Sequence, residues 1–422
     1  MLTKKDVFDF IKKNTTLTSF LIAIIIIILR RPDAIINAQF WAEDGVVWFA
    51  KAYNEGGFQS LLEPQNGYFQ SISKLTAWIS LAFPLKFAPI IFNSLAIIIR
   101  ALPVALLWSN RFSHIIPSPR LKLAVSIAYL CLPTINEVHS NITNAHWHLA
   151  LYAFMIIISL PAKSILGKIN DIIFTLIAGL SGPFSIILSP IVIIFWWFKR
   201  KTVSFFFYIL ASITLVSAGI QVWAVLFTSD STRSQAPLGA SLKLFIELIS
   251  AKLFGVLLFG ESFVNNIAKS FWLALPIFLL GTGILLFALW KARIELKLLI
   301  LFSALLILAA FSSPMVSITD PQWPLMTNAS TGARYFFIPL VAWSVTLIWF
   351  LSQIKNKRLQ IVLSAIIGLL MLNVFITDFK LKAYKDREFY KHAEIFSNLP
   401  TGTEYKIPIN PGKGWDVTLF KK

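Results

Sequence analysis

Long apolar segments alternate with polar connections along most of the chain. A helix that crosses the hydrocarbon core of a membrane needs about 20 residues, so several of these segments are short for a full crossing. Backbone polar groups in lipid need internal partners, and long runs of Ile, Leu and Phe provide them as helices, not as alternating barrel strands. The pattern therefore predicts an all-α polytopic membrane protein with about eleven transmembrane helices, near residues 16–31, 87–108, 121–136, 147–162, 171–181, 184–198, 203–227, 271–290, 297–313, 335–352 and 359–376.

The composition agrees with a membrane environment. Of the 422 residues, 57% are hydrophobic and 14% are charged, and the formal net charge is +18. In a membrane protein such a basic balance is typical of cytoplasmic loops and of contact with anionic lipid. The sequence has no basic, aromatic-interleaved soluble segment that would bind a polynucleotide, so we expect membrane lipids and no nucleic acid among the partners.

The basic residues divide the connections into two sets. Lys and Arg fall in the N-terminal segment and then in every second connection, at residues 4–13, 111–122, 163–168, 199–201, 291–297 and 355–358. Positive connections mark the cytoplasmic side of a membrane. The other connections carry carboxylates, Trp and Asn and are then periplasmic, at residues 32–86, 137–146, 228–270, 314–334 and 377–422. We expect a cytoplasmic N-terminus, retained as a first helix and not cleaved as a signal peptide, and a periplasmic C-terminus.

One segment decides this topology. Residues 71–83 are apolar but short, interrupted by Lys74 and followed by Pro84. As a helix on the outer membrane surface they keep all basic connections inside, whereas as a span they would invert everything downstream. We favour the surface helix. The chain then divides into a transmembrane domain at residues 1–376, with its first periplasmic loop and surface helices at 32–86, and a small periplasmic cap at 377–422.

A helix break is predicted inside the apolar run at residues 171–198, where Ser181, Gly182 and Pro183 follow one another. Proline removes a helical donor and glycine permits a tight reversal. Two half-length helices that meet inside the membrane and a tight hairpin between two ordinary helices both fit this pattern.

Two adjacent carboxylates, Glu43 and Asp44, follow the first apolar segment. Adjacent residues on a helix point about 100° apart, so we expect only one of them to face a reaction centre. The alternative is a structural role, because an acidic pair suits the positive end of a helix that begins near Val46. The same loop offers three further polar candidates for substrate binding, which are Gln65, Asn66 and Tyr68.

The second outward loop is dense in groups that bind sugar hydroxyls or metals. Residues 136–148 include Glu137, three asparagines and three histidines. His146 and His148 would diverge on a helix, which argues against a dedicated zinc site. The alternative for this loop is interfacial His and Trp without a ligand. We select Glu137, Asn144 and His146 as substrate-binding candidates.

Two arginines lie at or inside apolar segments, where charge is costly unless it meets an anion or a cavity. Arg334 begins a segment at its outer edge, beside Gly332, and is suited to a bidentate contact with a phosphate. Its alternative role is that of an interfacial anchor. For Arg100 we expect a structural ion pair.

These features together resemble the GT-C superfamily of membrane glycosyltransferases, which use polyprenyl-phosphate sugars as donors. Five short motifs look like those of the bacterial serotype-converting O-antigen glucosyltransferases: Ala-Glu-Asp-Gly at 42–45, Asn-Ala-His-Trp at 144–147, Ser-Gly-Pro-Phe at 181–184, Gly-Ala-Arg-Tyr at 332–335 and Ile-Pro-Ile-Asn-Pro at 407–411.

The resemblance implies a location in the bacterial inner membrane. It also implies transfer of a sugar, glucosyl in those enzymes, from undecaprenyl phosphate to a periplasmic glycan such as the O-antigen of lipopolysaccharide, with inversion. Asp44 would be the general base, and Glu43 and Glu137 would orient the acceptor. Arg334, with Tyr335 beside it, would neutralise the leaving lipid phosphate. GT-C enzymes differ in metal dependence, so a divalent cation such as Mg²⁺ or Mn²⁺ on Asp44 and Glu137 stays open.

Two other functions fit parts of the pattern. A flippase or transporter of lipid-linked sugar would also use basic cavities and broken helices, but it predicts paired repeats, and residues 1–200 do not recur in 201–422. An O-antigen polymerase or ligase shares the donor class but would not need the acidic pair after the first span. The sequence therefore favours the transferase.

Overall fold

The computed structural model describes residues 14–228 and 234–422. These residues are mostly helical, which confirms the predicted class of a helical, multi-pass membrane protein. The number of eleven spans is not confirmed, because six helices in the described residues are long and apolar enough to cross a membrane: Leu85–Trp108, Phe205–Phe227, Phe271–Lys291, Ile294–Ser312, Ala333–Ser352 and Lys357–Thr377. Shorter apolar helices accompany them at Thr15–Arg30, Ala145–Ile158 and Phe184–Lys199.

In the first half of the chain, five short elements follow the first helix and precede the main membrane helices. Helix α1 (Thr15–Arg30) is followed by the short α2 (Asp33–Ile36) and by a π-helical turn (Asp44–Phe49) that continues into α3 (Ala50–Glu55), α4 (Gly57–Leu61) and α5 (Ser71–Ser80). The helices of this half that follow are α6 (Ala88–Trp108), α7 (Pro119–Leu130), α8 (Ala145–Ile158), α9 (Ile165–Gly179), α10 (Phe184–Lys199) and α11 (Phe205–Phe227).

The second half begins with a broken helical segment and ends in the cap. The helices are α12 (Leu242–Ile249), a π-helical turn (Ser250–Gly255), α13 (Val256–Ile267), α14 (Phe271–Lys291), α15 (Ile294–Ser312), α16 (Gln322–Leu325), a 3₁₀ turn (Ala333–Phe336), α17 (Phe337–Ser352), α18 (Lys357–Thr377) and α19 (Phe389–Ser397). Two strands, β1 (Glu404–Pro408) and β2 (Asp416–Phe420), follow α19.

Burial sorts the helices into central and peripheral ones. Every residue of α8 except His146 is buried, which agrees with its apolar composition on all sides. By contrast, only 22% of the apolar window of α14 and 17% of that of α18 is buried within the protein. Helix α8 therefore lies at the centre of the bundle, and the polar loop at its N-terminus meets several neighbouring elements.

Helix α5 has ten residues and is too short to cross a membrane, as expected for the segment at 71–83. Its polar residues Ser73, Lys74 and Thr76 are buried against the rest of the protein. Ser73 Oγ donates to Ile142 O at 3.3 Å, so α5 also supports the second outward loop.

The predicted break is the tip of a helical hairpin formed by α9 and α10. Gly182 N donates to Phe69 O at 2.8 Å, and Ser71 N donates to Leu180 O at 2.9 Å. Gln221, on α11, holds the same junction: its Oε1 accepts from Phe69 N at 2.9 Å and its Nε2 donates to Gly179 O at 3.3 Å. The hairpin tip is thus joined to the first loop.

The C-terminal cap differs from the all-α prediction. Strands β1 and β2 form an antiparallel hairpin in which Glu404 lies opposite Phe420 and Pro408 opposite Asp416. The hairpin packs closely on the π-helical turn that begins at Asp44. The approach is so close that a Cβ atom at Gly45 would lie 2.6 Å from Val417 Cγ2. Glycine at this position lets the cap approach the turn, and Ala42 N donates to Asn410 O at 2.6 Å beside it.

Candidate functional site

Asp44 joins the first outward loop to the second. Thr143 donates to Asp44 Oδ1 from its N at 2.8 Å and from its Oγ1 at 2.6 Å, and Ile142 N donates to Oδ2 at 3.2 Å. The carboxyl group is fully buried. Burial raises the pKa of Asp44 to about 7, and the charge of Glu43 adds to the increase, whereas the hydrogen bonds from Thr143 and Ile142 oppose it.

Glu43 has different surroundings. It is half-buried, and its carboxylate has no hydrogen bond or ion pair with another described residue. Its charge acts on both Asp44 and Arg334. Of the two carboxylates, Glu43 is therefore the one open to a ligand in this conformation, and Asp44 is the one held in place.

Arg334 forms an ion pair with Glu137, which lies at the opposite end of the second outward loop from Thr143. Arg334 N donates to Glu137 Oε2 at 2.8 Å, and Nη1 donates to Oε1 at 3.2 Å. Nη2 donates to Met315 O at 2.5 Å and to Tyr335 Oη at 3.0 Å. These contacts use three of the five guanidinium N–H groups, so within the described residues Nε and one hydrogen on Nη1 are left for another acceptor. The side chain is 23% exposed.

Lys252, which was not among the residues predicted from the sequence, supports the loop that precedes Arg334. Its buried ammonium group donates to the carbonyl oxygens of Met326 at 3.0 Å, Asn328 at 2.9 Å and Thr331 at 2.5 Å. Burial lowers the pKa of Lys252 to about 7, against the charges of Glu137 and Glu261, which raise it. A lone lysine in the apolar stretch after residue 243 was the available signal.

Aromatic side chains gather between the second loop and the hairpin tip. The ring of His146 lies 5.3 Å from that of Phe184, and the ring of Trp147 lies 6.1 Å from that of Tyr335. His146 Nδ1 and Trp147 Nε1 are buried and have no hydrogen-bond partner in the part of the chain that the structure describes. These two nitrogen atoms and the aromatic faces are suited to a sugar ring.

Other candidates have supporting positions. Asn144 turns inward and donates from Nδ2 to Glu137 O at 2.7 Å, so it shapes the loop. Gln65 and Tyr68 form a tight turn in which Gln65 N donates to Tyr68 O at 2.7 Å, and Asn66, inside it, has a positive φ of 55°. The turn connects to the hairpin tip through the backbone that follows it, at Phe69.

The prediction of an ion pair for Arg100 is wrong within the described residues. Arg100 Nη2 donates to Leu130 O at 3.2 Å, as does Arg30 Nη1 at 2.7 Å, and Nη1 of Arg100 makes a short hydrogen bond with His139 Nδ1. Leu130 ends α7, so the two cations compensate the negative end of that helix. The contact with His139 fixes the middle of the second loop, between Glu137 and Thr143.

Thr143 was also missed as a site residue. Its Oγ1 accepts from Trp48 Nε1 at 2.9 Å while it donates to Asp44, so it links two side chains of the first loop to the second. Its position in a polar loop was visible in the sequence, but its pairing with Asp44 depends on the fold.

The residues that would bind a divalent cation are engaged elsewhere in this conformation. Glu137 uses both oxygens on Arg334, and Asp44 uses both on residues 142–143. Across residues 14–228 and 234–422, no group of three or more His, Cys, Asp or Glu side chains gathers in a way that would hold a metal ion.

The site therefore consists of the acidic pair, the second outward loop, the hairpin tip and the turn that bears Arg334. No protein-family model matches this chain, and no curated protein matches it either.

Proposed function

We propose that the protein is a membrane glycosyltransferase that moves a sugar from a polyprenyl-phosphate carrier to a hydroxyl group of a glycan acceptor on the periplasmic face. One observation carries the proposal: residues 137–143 hold Asp44 at one end and Arg334 at the other. A candidate base and a candidate phosphate ligand are thereby attached to a single loop, and glycosyl transfer from a lipid phosphate uses one group of each kind.

Each group then has a role in a balanced reaction. The acceptor oxygen attacks the anomeric carbon as the bond from that carbon to the phosphate oxygen breaks. The acceptor proton passes to Asp44, whose Oδ2 would exchange its 3.2 Å hydrogen bond from Ile142 N for one from the acceptor hydroxyl. The leaving polyprenyl phosphate gains negative charge, which the two free N–H groups of Arg334 stabilise. Inversion follows because the attack and the departure occur on opposite faces of the sugar.

The two carboxylates divide the work in this scheme. A base is most effective when its pKa lies near the working pH, which favours Asp44 with its pKa of about 7. Glu43 is more open and close to Arg334, so it would orient the acceptor. Undecaprenyl-phosphate glucose and an O-antigen acceptor are the substrates that the sequence resemblance favours.

Transfer by variants tests the proposal. Purified protein receives undecaprenyl-phosphate [¹⁴C]glucose and lipid-linked O-antigen, with and without EDTA, and labelled glycan is measured. We expect Asp44→Asn to lose product while its folding is unchanged, and the control Asp320→Asn, an exposed carboxylate on another outward loop, to keep it. An active Asp44→Asn protein would remove Asp44 from the role of base, and loss of the rate in EDTA would add a metal.

A further inference from the structure

A cavity lies at the end of the bundle away from the acidic pair. Its volume is about 200 Å³, and it is lined by the ends of α6, α7, α8, α15 and α17 that adjoin the basic connections. Phe92, near the start of α6, packs on Phe40 beside the candidate site, whereas Leu107, near the end of α6, lines the cavity. Fifteen residues of helix separate them by about 22 Å, so the two sites are distinct.

The lining of this cavity is almost entirely apolar. Val104, Val125, Phe154, Leu299 and Val345 are typical members. An apolar cavity of about 150 Å³ stays free of water and accepts hydrocarbon such as benzene. In a protein surrounded by lipid, the hydrocarbon in greatest supply is an acyl chain, and the cavity has room for part of one.

The mouth of the cavity is positively charged. The side chain of Arg293 is 56% exposed and donates from Nη1 to His114 O at 2.6 Å. Glu295 also lines the cavity and pairs with two cations: its Oε1 lies 2.9 Å from Lys199 Nζ and its Oε2 lies 3.5 Å from Arg293 Nε, so a single carboxylate faces both positive charges. Arg120, which is exposed, precedes the lining residue Leu121. Arg293 and Arg120 therefore leave an excess of positive charge where a lipid headgroup would lie.

We propose that this acyl groove, defined by Val104, Phe154, Leu299 and Val345 with Arg293 at its mouth, binds one anionic phospholipid. Part of one acyl chain fills the apolar cavity, and the phosphate contacts Arg293. The lipid belongs to the membrane leaflet on the side of the basic connections. The site needs no glycosyl transfer and stands apart from the proposed function.

Native mass spectrometry after reconstitution in nanodiscs tests the groove. The discs contain phosphatidylglycerol and phosphatidylethanolamine in equal amounts, with a small fraction of undecaprenyl phosphate. We expect the wild-type protein to retain one phospholipid, with phosphatidylglycerol favoured several-fold. Val345→Trp, which fills the groove, should abolish retention, while Leu308→Trp, a lipid-facing residue of α15 that is 64% exposed, should not.

The headgroup contact has its own pair of variants. Arg293→Ala should keep a bound lipid but lose the preference for phosphatidylglycerol. Lys291→Ala, whose side chain lies against Trp290 and outside the groove, should keep that preference.

If Val345→Trp does not fold, Val104→Phe fills the groove from α6. Retention that survives groove filling, the absence of retained phospholipid, or retention of undecaprenyl phosphate in its place would overturn the proposal.

Discussion

Asp44 and Glu43 are neighbours in the chain but have different environments. Asp44 is buried, and its carboxylate accepts hydrogen bonds from Ile142 and Thr143, about a hundred residues later. Glu43 remains half-exposed. The sequence indicated that two adjacent carboxylates would point in different directions. It could not indicate which one would be buried, because the partners belong to another loop.

The pKa of Asp44 predicts the pH dependence of transfer. A base acts in its ionised form, so below the pKa of about 7 the rate should fall about tenfold for each pH unit, and above it the rate should level off. The pH profile of kcat/KM for wild type and Glu43→Gln checks this.

Asp44→Asn should cost about 10² to 10⁴ in rate, and Glu43→Gln less. A reversed ranking would exchange the roles of the two carboxylates.

Arg334 should determine donor affinity. Arg334→Lys keeps the charge but loses the planar fork, so the KM for the donor should rise. Arg334→Ala should weaken donor binding by about 1.5–3 kcal/mol, as for a charged hydrogen bond. Lys269→Ala, an exposed cation of another outward loop, is the control.

Unchanged donor KM in both Arg334 variants would reduce Arg334 to an interfacial anchor. A raised KM in Lys269→Ala would then move the phosphate site to that loop. Arg233, the other candidate cation there, lies outside the described residues.

At the scale of elements, the sequence predicted where a helix is interrupted, but it did not predict the contacts that fix the interruption in place. Gly182 and Pro183 predicted the break between α9 and α10, but its partner, the backbone at Phe69, is distant in the chain. The β-hairpin was not predicted, because its five-residue strands lie in a polar tail with Pro408 at the end of β1. Short strands become stable here through packing on the π-helical turn at Gly45.

Gln221 should be the main polar contact between α11 and the hairpin tip. Gln221→Leu would leave Phe69 N and Gly179 O without their side-chain partner in a buried place, which should lower the free energy of unfolding by about 1–3 kcal/mol. Thermal unfolding in detergent measures the change. Trp223→Leu, two residues along and 52% exposed, should be close to neutral. Equal stability of both variants would contradict this role.

At the scale of the molecule, hydropathy predicted the helical membrane class, whereas its number of about eleven spans is not confirmed by the six full-length apolar helices of the described residues. The segment Ala145–Ile158 is apolar apart from His146 and His148, has only 14 residues and is almost entirely buried in protein. Apolar runs alone do not distinguish burial in protein from contact with lipid. The second outward loop was recognised as a polar cluster, although the pairings of its residues required the fold.

The alternation of basic connections predicts sidedness. With Cys131→Ser as background, Ser118→Cys should react with a membrane-impermeant maleimide only from the cytoplasmic side, and Ser330→Cys only from the periplasmic side. Ser118 is the N-cap residue of α7, and Ser330 lies exposed in the loop before Arg334. Labelling of Ser118→Cys from the periplasm would invert the topology and place the candidate site on the cytoplasmic face.

The fate of the donor tests the central claim most directly. Proteoliposomes that contain the purified protein, undecaprenyl-phosphate [¹⁴C]glucose and lipid-linked O-antigen allow donor cleavage, glycan labelling and movement of the donor between leaflets to be measured together. We expect one undecaprenyl phosphate to be released for each glucose attached to the glycan, and both to vanish in Asp44→Asn. Movement of intact donor across the membrane without cleavage would contradict the transferase and identify a flippase.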